Sequence, residues 1–350
     1  LLDQSFVPVR AEQSDEDSII RLEQLIWGSA EEATLEYFQW CLKDPAGQSI
    51  THVIRNDLGD VVSMHMVLPM PAFLRGERIM VGISLNVATH PDYRRKRFSN
   101  RVADSIFTEA RNLGIEFLFS VPNSMSHALF TEKNNFADLG RPLLLVRWID
   151  PWILIGQRGF PNLAKSLGLL TKSISGIFTR GQTGFAKVRY VEDLEGLKVE
   201  KLLEPTDFHF AVDGRWLRWR YGKHPFRKYE FALVGDPEAP QALVVYEVID
   251  LYKRTLIMEF LAVQEVSLET VQALIEDVVE KCKAAGCSSV CCLGSPISRK
   301  TDLLRKSGFW GFPFDSVWRP RIVVSSHKRL PAEFSLSSMD ISYGALINMG

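Results

Sequence analysis

One succession of landmarks runs along this chain twice. Trp40 and Pro45 return as Trp219 and Pro225, the strand-like run 79–87 returns as 255–263, Gly114 returns as Gly286, and Asn135-Phe136 returns as Gly308-Phe309. The offset stays between 172 and 180 residues, and each copy of the last pair closes a helix that follows a strand. A period this long marks duplicated domains, because the unit of a solenoid is far shorter. With 350 residues, 46% of them hydrophobic, the chain can fill two cores.

Hydrophobic spacing sets the elements of the first copy. Ile19, Leu22, Leu25 and Ile26 predict a helix over 18–27, and a second short helix is expected over 33–42. Strand-like runs at 52–55 and 61–68 flank the turn signal Asn56-Asp57-Leu58-Gly59, and a longer strand covers 78–89. Val102, Ala103, Ile106, Phe107 and Ala110 line one face of a helix over 100–112 that stops at Gly114. A strand at 115–121, a helix at 126–133 and a strand at 141–149 follow. Such alternation predicts an α/β fold of the α+β kind, a mixed sheet covered by helices. The expected division is a first domain over 1–150, a basic connecting segment over 151–200, a second domain over 201–330 and a tail over 331–350.

Charge and cysteine usage exclude several classes. A net charge of −1 leaves no global field to draw nucleic acid or acidic lipid, so any attraction must be local. Cys282, Cys287, Cys291 and Cys292 lie close together, but they have no paired C-x2-C spacing and no nearby His. Strand neighbours such as Cys291 and Cys292 face opposite ways, which argues for buried structural thiols and no metal. Unpaired thiols suit a reducing compartment, and neither a signal-peptide core nor a bilayer-length apolar run is found, so a cytoplasmic location is expected. Residues 151–191 carry six cations and no acid, with Leu163, Leu167, Leu170, Ile174 and Ile177 at helical spacing. A membrane-surface helix would have this pattern; a connecting helix between domains is the favoured reading.

Chemistry concentrates in Val87-Ala88-Thr89-His90-Pro91-Asp92-Tyr93-Arg94-Arg95-Lys96-Arg97-Phe98-Ser99. A strand ends, a Pro-containing turn follows, four consecutive cations pass, and a helix begins. Open backbone N–H groups at a helix start form an anion site, and cations in the same turn suit a pyrophosphate or a 3′-phosphate. A nucleic-acid patch is disfavoured, because aromatics are not interleaved and no wider basic face exists.

This segment resembles the acyl-CoA loop of the GNAT N-acetyltransferases, R/Q-x-x-G-x-G/A after a strand. Arg94 matches the first position, while Arg97 and Ser99 stand where Gly and Gly or Ala are usual. The strand, the helix and the Lys133-Asn134-Asn135-Phe136 ending that follow are similar to the family's next elements. The turn Val121-Pro122-Asn123 and the second-half residues Trp219-Arg220-Tyr221, His224-Pro225 and Tyr229 resemble bacterial two-domain members found with surface-polysaccharide or lipid modification. The resemblance implies two tandem GNAT-like domains, of which the second is degenerate, since residues 264–268 carry no cation.

It also implies acetyl-CoA, or another acyl-CoA, as co-substrate, held by Val87, Ala88, Thr89, Arg94, Arg95, Lys96, Arg97, Phe98, Ser99 and Asn123. Many members use a Glu in the strand before the loop and a Tyr in the helix after Asn123; this chain has Ile83, Ser84 and Asn86, and Phe130-Thr131, there. Asn86, Ser126 and His127 are the remaining catalytic candidates. Trp216, Tyr221 and His224 are candidates for a small-molecule or glycan-type acceptor. The implied activity is N-acyl transfer to an amine or hydroxyl. The alternatives are a non-catalytic module of the same fold that binds CoA or a partner, and a Fem-like aminoacyl transferase.

Overall fold

The computed structural model describes residues 6–28, 30, 32–43, 49–124, 126–153, 186–203, 206–250, 253–312, 321–326, 334–340 and 342. The helical spacing predicted over 163–177 lies outside these residues. The first half runs β1 (Val9–Arg10), α1 (Glu16–Trp27), α2 (Leu35–Leu42), β2 (Ile50–Arg55), β3 (Val61–Leu74), β4 (Glu77–Thr89), α3 (Phe98–Asn112), β5 (Ile115–Ser120), β6 (Ala137–Gly140) and β7 (Leu143–Trp148). The second half runs β8 (Val188–Val191), β9 (Phe208–Phe210), α4 (Gly214–Leu217), β10 (Glu230–Asp236), β11 (Ala239–Ile249), β12 (Arg254–Ala262), α5 (Leu268–Ala284), β13 (Ser289–Gly294), α6 (Arg299–Lys306) and β14 (Trp310–Phe312). Then come β15 (Ile322–Ser326) and β16 (Met339–Asp340).

Two mixed sheets result, and they match strand for strand. The first is ordered β1-β2-β3-β4-β5-β15-β6 and the second β8-β10-β11-β12-β13-β7-β14. Along each of these seven-strand paths one parallel pair, β4 with β5 or β12 with β13, interrupts an antiparallel ladder, and the first sheet adds β9 beside β3, with β16 parallel to β9. The next place in each sheet is filled from across the molecule. β7 pairs with β13 and β14, whereas β15 pairs with β5 and β6. Each half therefore completes the other's sheet.

Landmark residues sit where the duplication requires. Gly114 and Gly286 end their helices at φ 80° and 75°, and Asn135 and Gly308 take φ 56° and 88°, the left-handed region that favours Gly and Asn. Trp40 and Trp219 stack with ring centroids 4.5 Å apart. Each indole Nε1–H donates to the other residue's carbonyl oxygen at 3.1 Å. Contacts that mirror each other in this way are what a local two-fold produces.

The largest core is shared. It takes Met64, Ile83 and Phe119 from the first sheet, Leu233, Met258 and Leu293 from the second, and the Trp pair between them. Smaller cores lie under α3, with Ile106 and Phe130, and under α5, with Val271 and Val278. Cys291 belongs to the shared core and Cys292 to the one under α5, as strand alternation predicts. Among the described residues, no helix is long and apolar enough to cross a membrane.

Candidate active site

The site begins where β4 loses a neighbour. β4 and β5 pair from Met80 with Ile115 to Ile83 with Phe119, and there the ladder stops. β4 runs on to Thr89 with that edge open among the described strands. Ser120 Oγ donates to the Ser84 carbonyl oxygen at 3.2 Å, tying the two strands at the apex of the gap. A bulge lies just beyond. The register against β3 slips between Met64 and Met66, and Asn86 takes φ 49°.

The predicted anion loop follows. His90 to Tyr93 form a tight turn in which the Asp92 N–H donates to His90 Nδ1 at 3.3 Å. Arg95 and Arg97 take φ 64° and 60°. Arg97 thus stands in the left-handed conformation that explains why Gly is usual at its place, and its side chain is exposed, as are those of Arg94, Arg95 and Lys96. Among the described residues none of these four cations forms an ion pair; Lys96 Nζ lies 4.6 Å from the centre of the Tyr93 ring. Arg97 is the N-cap of α3 and supplies no side-chain acceptor, and the first turn holds no acid. The leading amides of a 15-residue helix are left to a ligand.

The matching position in the second half is closed. Ser267 caps α5 by accepting from the Thr270 N–H at 3.2 Å, and Glu269 occupies the first turn. A carboxylate there repels phosphate, so the two helices have opposite preferences.

A buried carboxyl completes the site. Glu23, on α1, is 0% exposed, and its Oε1 accepts from Asn86 Nδ2 at 2.9 Å. Its Oε2 is buried without a partner among the described residues. Burial pushes its pKa up to about 8, against the opposing hydrogen bond from Asn86. Glu23 lies on α1 and not on the strand before the loop, where the family's Glu is usual. Its signal was its place four residues after Ile19 and one after Leu22, which puts an acid on the apolar stripe of a helix. Nearby, His65 Nε2 bonds Ser84 Oγ at 2.6 Å, and burial lowers its pKa to about 3, so the ring is neutral.

The other candidates lie apart from this pair. Asn123 Oδ1 accepts from the Ser126 N–H at 2.9 Å and from Ser126 Oγ at 3.1 Å, so Asn123 caps the turn leaving β5. His127 Nε2 lies 2.8 Å from Asp138, which also pairs with Arg321 of β15's approach. Trp216, Tyr221 and His224 lie at the boundary between the halves. The Tyr221 hydroxyl donates to Glu259 at 2.8 Å, while His224 packs on Tyr37 and Trp40 and accepts the Phe226 and Arg227 N–H groups at Nδ1. Trp216 lines a cavity of about 200 Å³ with Met70, Pro71 and Met80.

Comparisons with known proteins bear on the fold that carries this site. A family model described as "Acetyltransferase (GNAT) domain" matches residues 9–136. Among curated proteins no sequence matches the chain. A conserved protein from Enterococcus faecalis, described as a probable N-acyltransferase, superposes with a TM-score of 0.65 at 11% identity over 92% of this chain and 72% of its own. GCN5-related N-acetyltransferases from Kribbella flavida and Anabaena variabilis each give 0.61, at 13% and 14% identity, over 91% of this chain and 70% and 72% of theirs. The fold is therefore that of the GNAT proteins across both halves, and residues 9–136 match the model of a GNAT acetyltransferase domain.

Proposed function

We propose that this chain is a cytoplasmic N-acyltransferase of the two-domain kind, carrying an acyl group, most simply acetyl, from coenzyme A to an amine on a small or glycan-type acceptor. The observation that carries the reading is the start of α3: without a side-chain cap, free of acid and led by four cations that have no ion pair among the described residues, at the end of the open edge of β4. The amides of Phe98, Ser99 and Asn100 would hold the diphosphate, with Arg94 to Arg97 around it. Val87, Ala88 and Thr89 offer backbone groups to the amide-bearing arm of the donor, which would lie along β4 as a missing strand does.

Glu23 is then placed to act as base. An ammonium acceptor gives one proton to the Glu23 carboxylate, and the freed amine attacks the thioester carbon. As the C–N bond forms and the C–S bond breaks, the second nitrogen proton balances the departing thiolate. Asn86 holds Glu23 by its Nδ2–H and so positions the base. The five buried free thiols fit a reducing compartment.

Calorimetric titration of coenzyme A tests the donor site. Arg94→Ala is expected to weaken binding about ten- to a hundredfold, as the loss of a charge-assisted hydrogen bond does. Wild-type affinity should fall as salt is raised. A dissociation constant unchanged by both would return residues 94–97 to a solvated turn.

A further inference from the structure

The second sheet has the same gap as the first, but in the second sheet it is filled. β12 and β13 pair from Arg254 with Ser289 to Ile257 with Cys292 and then part. Into the opening comes the end of the chain. Ser295 Oγ donates to the carbonyl oxygens of Leu336 at 2.7 Å and Ser337 at 3.3 Å. Met339 and Asp340 form β16, a parallel addition to Phe208 and His209 of β9. The Asp340 carboxylate pairs with Lys300 of α6. Ser342 Oγ donates at 2.8 Å to Glu259 Oε1, the oxygen that also accepts from Tyr221. Only about 20 Å³ stays empty among Met258, Cys292, Leu293, Asp340 and Ser342.

The walls are built for such an occupant. Lys300 is 9% exposed and Glu259 2%, so a cation and a carboxylate are both held away from water in one narrow gap. Burial raises the pKa of Glu259 to about 7, against hydrogen bonds from Ser342 and Tyr221. Buried charges need partners, and the tail supplies an acid for Lys300 and, two residues on, a hydroxyl for Glu259. Leu336 and Met339 add apolar anchors at 8% and 2% exposure. With Ser267 and Glu269 at the head of α5, the gap has lost its phosphate end while keeping its strand-like channel.

We propose that the gap between β12 and β13 is a peptide-binding slot, occupied reversibly by residues 336–340 and 342 of this same chain. It reads an acid with Lys300 and a hydroxyl two residues later with Glu259 and Tyr221, and it aligns the backbone by strand addition to β9. A two-residue ladder and a few side-chain bonds make the tail one of the first parts to open. The slot needs no acyl donor, so the proposal stands apart from the function assigned to the first half.

Cys292, 4% exposed in the wall, reports on opening. In the full-length chain, iodoacetamide labelling of Cys292, mapped by mass spectrometry, should be slow. Asp340→Lys should speed it at least about tenfold by setting two cations together, and the charge swap Lys300→Asp with Asp340→Lys should restore protection. A labelled peptide of residues 335–342 should bind the Asp340→Lys chain in fluorescence anisotropy and should not bind the wild type. The same peptide with Asn in place of Asp340 should fail. Equal Cys292 labelling in wild type and Asp340→Lys, no recovery in the charge swap, or peptide binding indifferent to the Asp would each overturn the slot.

Discussion

Glu23 shows how a single residue can carry opposite demands on stability and chemistry. Its carboxyl is neutral in the folded chain until pH approaches about 8, although an unfolded glutamate ionises near 4.5. Between those values the folded state holds the extra proton. Its contribution to stability is therefore full below 4.5 and is lost as pH rises through 8. Acyl transfer needs the ionised form, so the rate should rise with pH through about 8 and then level. Glu23→Gln should lower kcat about 10²- to 10⁴-fold, leave coenzyme A affinity unchanged and remove that inflection. It should also flatten the fall of the urea midpoint between pH 5 and pH 9; a midpoint slope equal to wild type would place the proton elsewhere. The loop Arg94 to Ser99 is legible in the sequence as one unit, because its residues are contiguous. The Glu23–Asn86 pair is not legible there, because the two residues meet only through the packing of α1 on the sheet, 63 residues apart.

At the scale of elements, α3 and α5 are the same helix given different beginnings. α5 has its Ser cap and an early acid; α3 has neither and is led by cations. Leaving amides open costs a helix stability, and a negative charge in the first turn recovers some of it. Ser99→Glu should thus stabilise the protein by about 0.3–1 kcal/mol while abolishing coenzyme A binding. A thermal melt alongside a titration reads both, and loss of binding with loss of stability would mean that the loop had collapsed. Periodicity foretold most elements, including the helix that begins at Phe98 and the strand 115–121. The helix expected over 126–133 is present from 127 and winds wider over Leu129–Lys133, packed through Phe130 against Phe136 and His65. β3 runs to Leu74, beyond the expected end at Leu68, because its ladder with β4 continues to Leu74–Glu77, and Ala72, Phe73 and Leu74 gain β9 as a second partner. Local pattern cannot announce a partner that arrives from another half.

For the whole molecule, the Trp40–Trp219 pair is the keystone of the shared core. Truncating either to Ala should cost about 3–5 kcal/mol. The double variant should cost less than the two together by about 0.5–1.5 kcal/mol, since either single variant already loses the one stack, whereas each indole's hydrogen bond goes to the other's backbone carbonyl and is lost separately. Strict additivity in denaturant melts would deny that coupling. Duplication was legible in the landmarks, but the exchange of β7 and β15 was not. The Leu-Leu-Leu-Val run at 143–146 suits any buried strand, and nothing in it says which sheet will bury it. That exchange also governs how the protein can be made. When β5 and β6 leave the ribosome, the strand that belongs between them is still about 180 residues from being synthesised, a wait of roughly ten to forty seconds. For that interval the nascent first half holds an open sheet edge and a stranded β7, a form that invites pairing with neighbouring chains. Expression yield should therefore depend on how well that edge is shielded during translation, more than on the stability of the finished fold.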